Sequence, residues 1–327
     1  MNQKIVSLDI GGTYIKGAVI SLEGEILFSS SFPFPHGEIK EEMDKISDFY
    51  FSLIRSFKEE ELLCLGIGCP GLVNSEKGEV YFAGHLGWNN LFLADEIKQR
   101  IHKPVYILND ASSAAWGDYR FGAGKAFSSL IFLTLGTGLG SGLIFNGKLW
   151  LANGGLTPEL GYLSIDPKGK RGPNGKRGIL ESSISASALL EEAYKAMWKD
   201  QSSLLWKLCS DKKEELNGEM VFLAYEKEDK AAKKAIKSYY ENLSRAVIDL
   251  TDMLEPEAII FGGGLSEGQD GFLSPLKETL KKKTWLSKGI VEVKLLCSPL
   301  GNKAGLLGAG IYALERLKKE ENKDGTK

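Results

Sequence analysis

The chain has 327 residues, 43% hydrophobic and 26% charged, the composition of a soluble globular protein and long enough for two lobes rather than one core. Lys and Arg total 41 against 43 Asp and Glu, a net charge of −2, so the basic footprint of a nucleic-acid binder is missing. The scattered Cys64, Cys69, Cys209 and Cys297 form no CxxC pair, MNQKIVSLDIGG lacks a leader's apolar run, and no stretch reaches the ~18 apolar residues of a span. A cytoplasmic protein with no nucleic-acid and no membrane partner is therefore expected.

Residues 4–10 (KIVSLDI) predict a buried strand running into a Gly-Gly turn, 15–20 its hairpin partner, and 25–32 a third strand. A helix is predicted over 38–58 and a buried strand over 62–68, with Cys64 and Cys69 in the core. Leu93, Ile97 and Ile101 recur at helical spacing, and Pro104 opens the strand PVYIL, which ends at Asn109-Asp110. Residues 128–150 repeat the opening theme of strand, glycine turn, strand and second turn; Gly136 follows Gly11 by 125 residues. Such recurrence predicts two lobes of related topology. Residues 152–180 read as irregular. Ala186, Leu189, Leu190, Ala193 and Met197 make an apolar stripe, and a helical region over 218–254 breaks near 229. A strand over 257–261 meets Gly262-Gly263-Gly264. A late strand covers 291–297, Leu307, Ile311 and Leu314 mark a final helix, the tail ENKDGTK reads as frayed, and Lys281 to Lys283 read as a solvated face. The class is α/β.

In Asp9-Ile10-Gly11-Gly12-Thr13, a strand delivers a carboxylate to its end and two glycines let backbone N–H groups crowd an anion. Thr13 and Lys16 add donors. Asp9 repels a phosphate directly but reaches one through a hydrated Mg²⁺; the alternative is a plain acidic hairpin. The turn Gly136-Thr137-Gly138-Leu139-Gly140 has the same logic and lies between two strands, so it is neither a Walker A nor a Rossmann loop. Asp110 can accept a proton from a sugar hydroxyl attacking phosphorus, with Asn109 orienting the sugar, or either residue can cap the helix that follows. Gly262, Gly263 and Gly264 would let adenine or ribose lie against backbone, or simply make a turn. Glu159 and Glu181 flank the irregular segment and could accept from sugar hydroxyls, although isolated glutamates are mostly solvated. His36, His85 and His102 lack metal-ligand spacing; His36 and His102 read as surface residues, and His85, near Trp88, as the one beside substrate.

From Asp9 to about Leu314 these stations together resemble the ROK family of sugar kinases and sugar-responsive repressors. LDIGGTYIKGAV is similar to the family's first phosphate motif, GIGCPGLV to its turn near the sugar, which includes Gly71, and LNDASSAAWGDYRFGAGK to the segment carrying the catalytic Asp. LGTGLGSGLIFNGKL resembles the second phosphate motif with Thr137 and Gly138; FGGGLS and GNKAGLLGAG resemble the adenosine side and the closing helix. The resemblance implies an actin-like (ribonuclease H-like), two-lobed sugar kinase fold closing on ATP and a hexose. The expected lobes are 1–115, with a C-terminal helix at about 303–320 packing back on it, and 116–302. It further implies Asp110 as general base, Asn109, Glu159 and Glu181 as sugar ligands, Mg²⁺ with the ATP, and a homodimer. Glucose phosphorylated at O6 is the expected reaction, with mannose, fructose and N-acetylhexosamines as nearby alternatives and a non-catalytic sugar-binding protein as the rival. The family's repressors carry a DNA-binding domain before the first phosphate motif; only eight residues precede Asp9 here, which sets that reading aside.

Two departures accompany the resemblance. The family's zinc ligands align with Tyr162, Gly172, Asn174 and Ile179, none a usual zinc ligand, so no structural zinc is expected. Ile179 and Leu180 packing inward, Pro167 and Pro173, and a hydrogen bond of the Tyr162 hydroxyl near the sugar are expected to hold the loop instead. His85 stands where many family glucokinases have a sugar-contacting Asn.

Overall fold

The computed structural model describes residues 3–172, 174–267, 270–280 and 292–324. Lys281 to Lys283, Pro173, Val291 and the end of the tail, Gly325 to Lys327, lie outside the described residues. In chain order, β1 (Lys4–Ile10), β2 (Tyr14–Ser21) and β3 (Ile26–Pro33) precede α1 (Ile39–Ile54), β4 (Leu62–Cys69) and three short strands, β5 (Leu72–Asn74), β6 (Glu79–Ala83) and β7 (Trp88–Leu91). Then come α2 (Leu93–Ile101), β8 (Val105–Asn109), α3 (Asp110–Phe121), β9 (Leu130–Leu135), β10 (Leu139–Phe145) and β11 (Lys148–Trp150). The helices α4 (Glu181–Ile184), α5 (Ala186–Trp198), α6 (Leu204–Leu208), α7 (Gly218–Glu226) and α8 (Lys230–Leu254) follow, then β12 (Ala258–Gly262), α9 (Asp270–Leu280), β13 (Lys294–Cys297) and α10 (Ala304–Asp324).

The first sheet has the order β3-β2-β1-β4-β8, with β1 antiparallel to β2 and parallel to β4. The second has the order β11-β10-β9-β12-β13, with β10 and β11 antiparallel and β12 and β13 parallel. The repeated strand, glycine turn, strand unit of the sequence thus occupies equivalent places in two sheets of one order. β1 is buried along nearly its whole length because layers cover both its faces, whereas β3, an edge, is largely exposed. Asp229 caps α8 through Ala232 N (2.8 Å), which is the break in the helical region at 218–254.

The chain divides into two compact units: unit 1 comprises Met1–Phe132, Gly142–Pro158 and Asn302–Lys327, and unit 2 comprises Leu133–Ser141 and Glu159–Gly301. A boundary after residue 115 would cut α3; the division instead crosses β9 and β10. Residues 116–132 stay with unit 1 because α3 packs on α10 at very close range. A Cβ built on Gly308 would lie 1.7 Å from Ser113 O, so only glycine permits that crossing. Ser7 Oγ donates to Leu306 O (2.6 Å) and ties the same helix to β1. α10 continues through Asp324, so the first residues of ENKDGTK are helical rather than frayed.

The β5-β6-β7 sheet, antiparallel throughout, frames the segment AGHLGWNN, with His85 in the turn between β6 and β7. Its strands hold three to five residues each, too few for alternation to be visible in sequence. Cys64, Cys69, Leu93, Ile97 and Ile101 are buried in unit 1, and Leu189, Ala193 and Met197 in unit 2; His36 and His102 are exposed.

Candidate active site

In unit 1, β1 delivers Asp9 to its C-terminal end, opposite Lys16 of β2 and Gly68 of β4. The Asp9 carboxylate also faces the first turn of α10, 3.2 Å from where a Cβ on Gly305 would stand. Burial, then the Asp110 charge, push this carboxyl from 3.8 to about 6, while Lys16 pulls it down. The turn beyond is closed by Gly11 N donating to Tyr14 O (2.9 Å), with Gly12 and Thr13 exposed.

β8 ends at Asn109 and α3 begins at Asp110, and the structure separates the two roles the sequence left open. Asn109 is the N-cap: its Oδ1 accepts from Ala111 N (3.0 Å) and Ser112 N (3.1 Å). Its Nδ2 donates to Gly71 O (3.1 Å), and its side chain also hydrogen-bonds the Asp110 carboxyl. Gly71 has φ of +97°, and a Cβ there would lie 2.2 Å from Phe82 O, so the turn that presents this carbonyl requires glycine. Asp110 accepts from Ala111 N (2.8 Å) and stays half-buried at the helix start. Burial raises its carboxyl, against hydrogen bonds from Ala111, its own backbone and Asn109 that lower it. Beneath both carboxylates lies Cys69, fully buried, its thiol pushed far up by burial, then by Asp110 and Asp9. His85 is exposed in the turn between β6 and β7, its Cβ 3.8 Å from where a Cβ on Gly12 would sit.

In unit 2, the turn at Gly136, Thr137 and Gly138 is held from several sides. Ala186 N donates to Gly136 O (2.9 Å), Ser187 Oγ to Thr137 O (2.8 Å), and Leu139 N to Glu181 Oε2 (3.0 Å). Glu181 thus braces the second turn with one oxygen. Glu159 precedes a short 3-10 turn, Leu160–Tyr162, and both glutamates act on Tyr162: burial first, then Glu181, then Glu159 raise its hydroxyl. The structure therefore brings Glu159, Tyr162 and Glu181 together. Two residues outside the sequence expectations also position this region. Thr134 Oγ1 accepts from Gly140 N (3.1 Å) and Ser141 Oγ from Leu160 N (3.2 Å); hydroxyls flanking a glycine turn are the signal that identifies such braces.

At the positions aligned with zinc ligands, Ile179 is 1% exposed, and its Cδ1 would lie 2.4 Å from a Cβ on Gly172. Leu180 is buried too. Backbone bonds close the loop: Gly172 N to Lys176 O (2.8 Å), Gly178 N to Lys170 O (2.7 Å) and Ile165 N to Gly178 O (2.8 Å). Elsewhere in unit 2, Gly262 ends β12, and Gly263, at φ of +86°, runs close to Leu135 at the end of β9. Ser266 Oγ donates to Gly263 O (2.8 Å), and Gly264 is exposed.

Among the described residues no helix is long and apolar enough to cross a membrane. The model of the ROK family matches residues 5–316. The glucokinase of Streptomyces coelicolor is 33% identical over 321 residues, 95% of this chain and 97% of its own length. That of Thermotoga maritima is 33% identical over 319 residues, 96% of this chain and 98% of its own. The crystal structure of a ROK family glucokinase from Streptomyces griseus, in complex with glucose and AMPPNP, superposes with a TM-score of 0.83 at 30% identity, covering 95% of this chain and 99% of that one. The chain belongs to the ROK family, with the actin-like, two-lobed fold of its sugar kinases.

Proposed function

We propose that this chain is an ATP-dependent hexose kinase that phosphorylates glucose at O6. The observation that carries the reading is the division of labour at the β8–α3 junction. Asn109 satisfies the helix end, so Asp110 keeps a carboxylate free of capping Ser112 and set up to accept a proton. Its relatives of 33% identity are glucokinases over nearly their full length, which supports glucose as the acceptor.

In this reading Asp110 takes the proton of the sugar hydroxyl as its oxygen attacks the γ-phosphorus, and ADP leaves. Asn109 orients the sugar beside Asp110, and His85, Gly71, Glu159, Tyr162 and Glu181 contact sugar hydroxyls. Gly12, Thr13 and Lys16 in unit 1, around the turn that Gly11 closes, and Thr137 and Gly138 in unit 2 donate to phosphate oxygens; Gly262, Gly263 and Gly264 border the adenosine. The Asp110 charge raises the Asp9 carboxyl more than Lys16 lowers it, a pair of neighbouring carboxylates whose donor chemistry suits Mg²⁺. Asp9 would hold it through water, where the ion neutralises charge on the phosphates. Ile179 fills the space next to Gly172, which supports a loop held by packing and backbone bonds without zinc.

The test is coupled ADP release across glucose, mannose, fructose and N-acetylated hexosamines, using chelator-treated protein in excess Mg²⁺. Turnover only with a hexose, glucose best, is expected. Sugar-independent turnover, or none with any hexose, would sink the kinase reading, and recovery only on adding zinc would sink the zinc-free loop. The proposal places the enzyme in the cytoplasm as a homodimer, which cell fractionation and analytical sedimentation check.

A further inference from the structure

Glu42 is a carboxylate where the physics of burial argues against one. It lies in the first turn of α1, is 3% exposed, and occupies the apolar face that also carries Ile46, Phe49 and Leu53. Among the described residues it forms no ion pair with a cation; its partners are two N–H donors. Trp88 Nε1 donates to Glu42 Oε2 at 2.6 Å, and Gly37 N donates to Oε1 at 3.0 Å. The helix N-terminus makes a negative charge tolerable at this point. A helix tie alone would account for the bond to Gly37, but not for the shorter one to Trp88, which is 46 residues away.

The two bonds connect the flanks of the proposed site. Trp88 is fully buried and begins β7, three residues after His85. The Phe34 ring packs on Trp88, with centroids 5.8 Å apart, and Phe34 N donates to Thr13 O (2.8 Å) in the first phosphate turn. Glu42 also holds Gly37, at the end of that same connector. A continuous path therefore runs from Thr13 through Phe34 and Trp88 to the turn that bears His85, with Glu42 bonded to Trp88 and to Gly37. That turn sits with the His85 Cβ against Gly12.

We propose that Glu42 is a positioning residue for the sugar: through Trp88 it fixes His85 beside the Gly11–Thr13 turn. This rests on the assignment of His85 as a sugar contact. A buried charge-assisted bond is stiff, and a turn held at one end by such a bond presents its side chain with less freedom to lose when the sugar binds.

The experiment compares Glu42→Gln, Trp88→Phe, His85→Ala and the double variant Glu42→Gln/His85→Ala at a temperature well below the melting point of each. Glucose KM, ATP KM and kcat are measured, with calorimetric glucose affinity as a second readout. Glu42→Gln and Trp88→Phe are expected to raise glucose KM by about five- to tenfold, with ATP KM and kcat within about threefold. In the His85→Ala background, Glu42→Gln is expected to add less than about twofold, because the group it positions is gone. Equal multiplication of glucose KM in both backgrounds, or parallel rises in both KM values, would overturn the inference and leave Glu42 a structural tie. Should Glu42→Gln fail to fold, Trp88→Phe alone and combined with His85→Ala gives the same decision. If His85→Ala itself leaves glucose affinity unchanged, the sugar-contact assignment fails, and the positioning role fails with it.

Discussion

At the end of β1, two residues before Gly11, stands Asp9; at the end of β9, two residues before Gly136, stands Thr134. The two sheets share a strand order and a glycine turn at the same place, yet the strand leading into the first turn carries a carboxylate near its end and the strand leading into the second a neutral hydroxyl, with the Glu181 carboxylate reaching the second turn from α4. Thr134 spends its oxygen on Gly140 N, so it shapes the turn and adds no charge. Asp9 accepts no comparable bond from its own turn and carries instead a proton affinity distorted by burial and by Asp110. One scaffold used twice has thus been given two kinds of support: a buried carboxylate with a raised proton affinity behind the first turn, and behind the second a hydroxyl together with the hydrogen-bonded Glu181 carboxylate.

The largest expected effect breaks the charged member of the pair. Asp110→Asn keeps shape and the bond from Ala111 N but cannot take a proton, so kcat should fall by about 10²-fold or more with sugar affinity largely kept. Activity within a few-fold of the parent would reassign Asp110 to the helix start and the base to another group. A smaller effect sharpens the contrast from the other side. Thr134→Asp would add a second carboxylate to the turn that Glu181 already braces, and ATP KM should rise about tenfold through repulsion of the phosphates, with glucose KM nearly unchanged. Equal ATP affinity in this variant would mean that the neutral side chain at position 134 is incidental.

The smallest effect concerns stability. Asp9 binds its proton more tightly in the folded state, at about 6, than at the ordinary 3.8. Its contribution to stability is therefore full below 3.8 and lost as pH rises through about 6. Asp9→Asn should flatten the dependence of melting temperature on pH across that window in ligand-free protein, and raise the melting temperature at neutral pH. An unaltered slope in differential scanning calorimetry would show the Asp9 charge to be well solvated.

The sequence made the main strands readable because β1, β4, β8, β9 and β12 are mostly apolar runs that meet Gly, Pro-Gly or Asn-Asp at their ends, signals that survive without any tertiary context. It could not separate Asn109 from Asp110, since both are good caps; the geometry of Oδ1 against Ala111 and Ser112 decides it. The β5–β7 sheet was hidden by strand length. Glu42 was overlooked because a glutamate at a helix start reads as solvated. Its spacing of four, seven and eleven from Ile46, Phe49 and Leu53 places it on the apolar stripe, and that was the available clue. The cluster of Glu159, Tyr162 and Glu181 joins residues across an irregular segment, where no periodicity predicts proximity.

The close crossing of α3 and α10 has a consequence for the order in which the protein can assemble. Ser113, Gly117, Leu306 and Gly308 belong to one packed layer of unit 1, but the chain makes all of Glu159–Gly301 between them. During synthesis, β1, β4 and α3 emerge with the surface for α10 still uncovered, and they stay so until the whole of unit 2 has left the ribosome. The apolar face formed by Leu306, Leu307, Ile311 and Leu314 is the lid that this early surface waits for. Unit 2 is nearly contiguous and can fold ahead of the unit whose synthesis began first, so the nascent chain carries its unfinished half at the front.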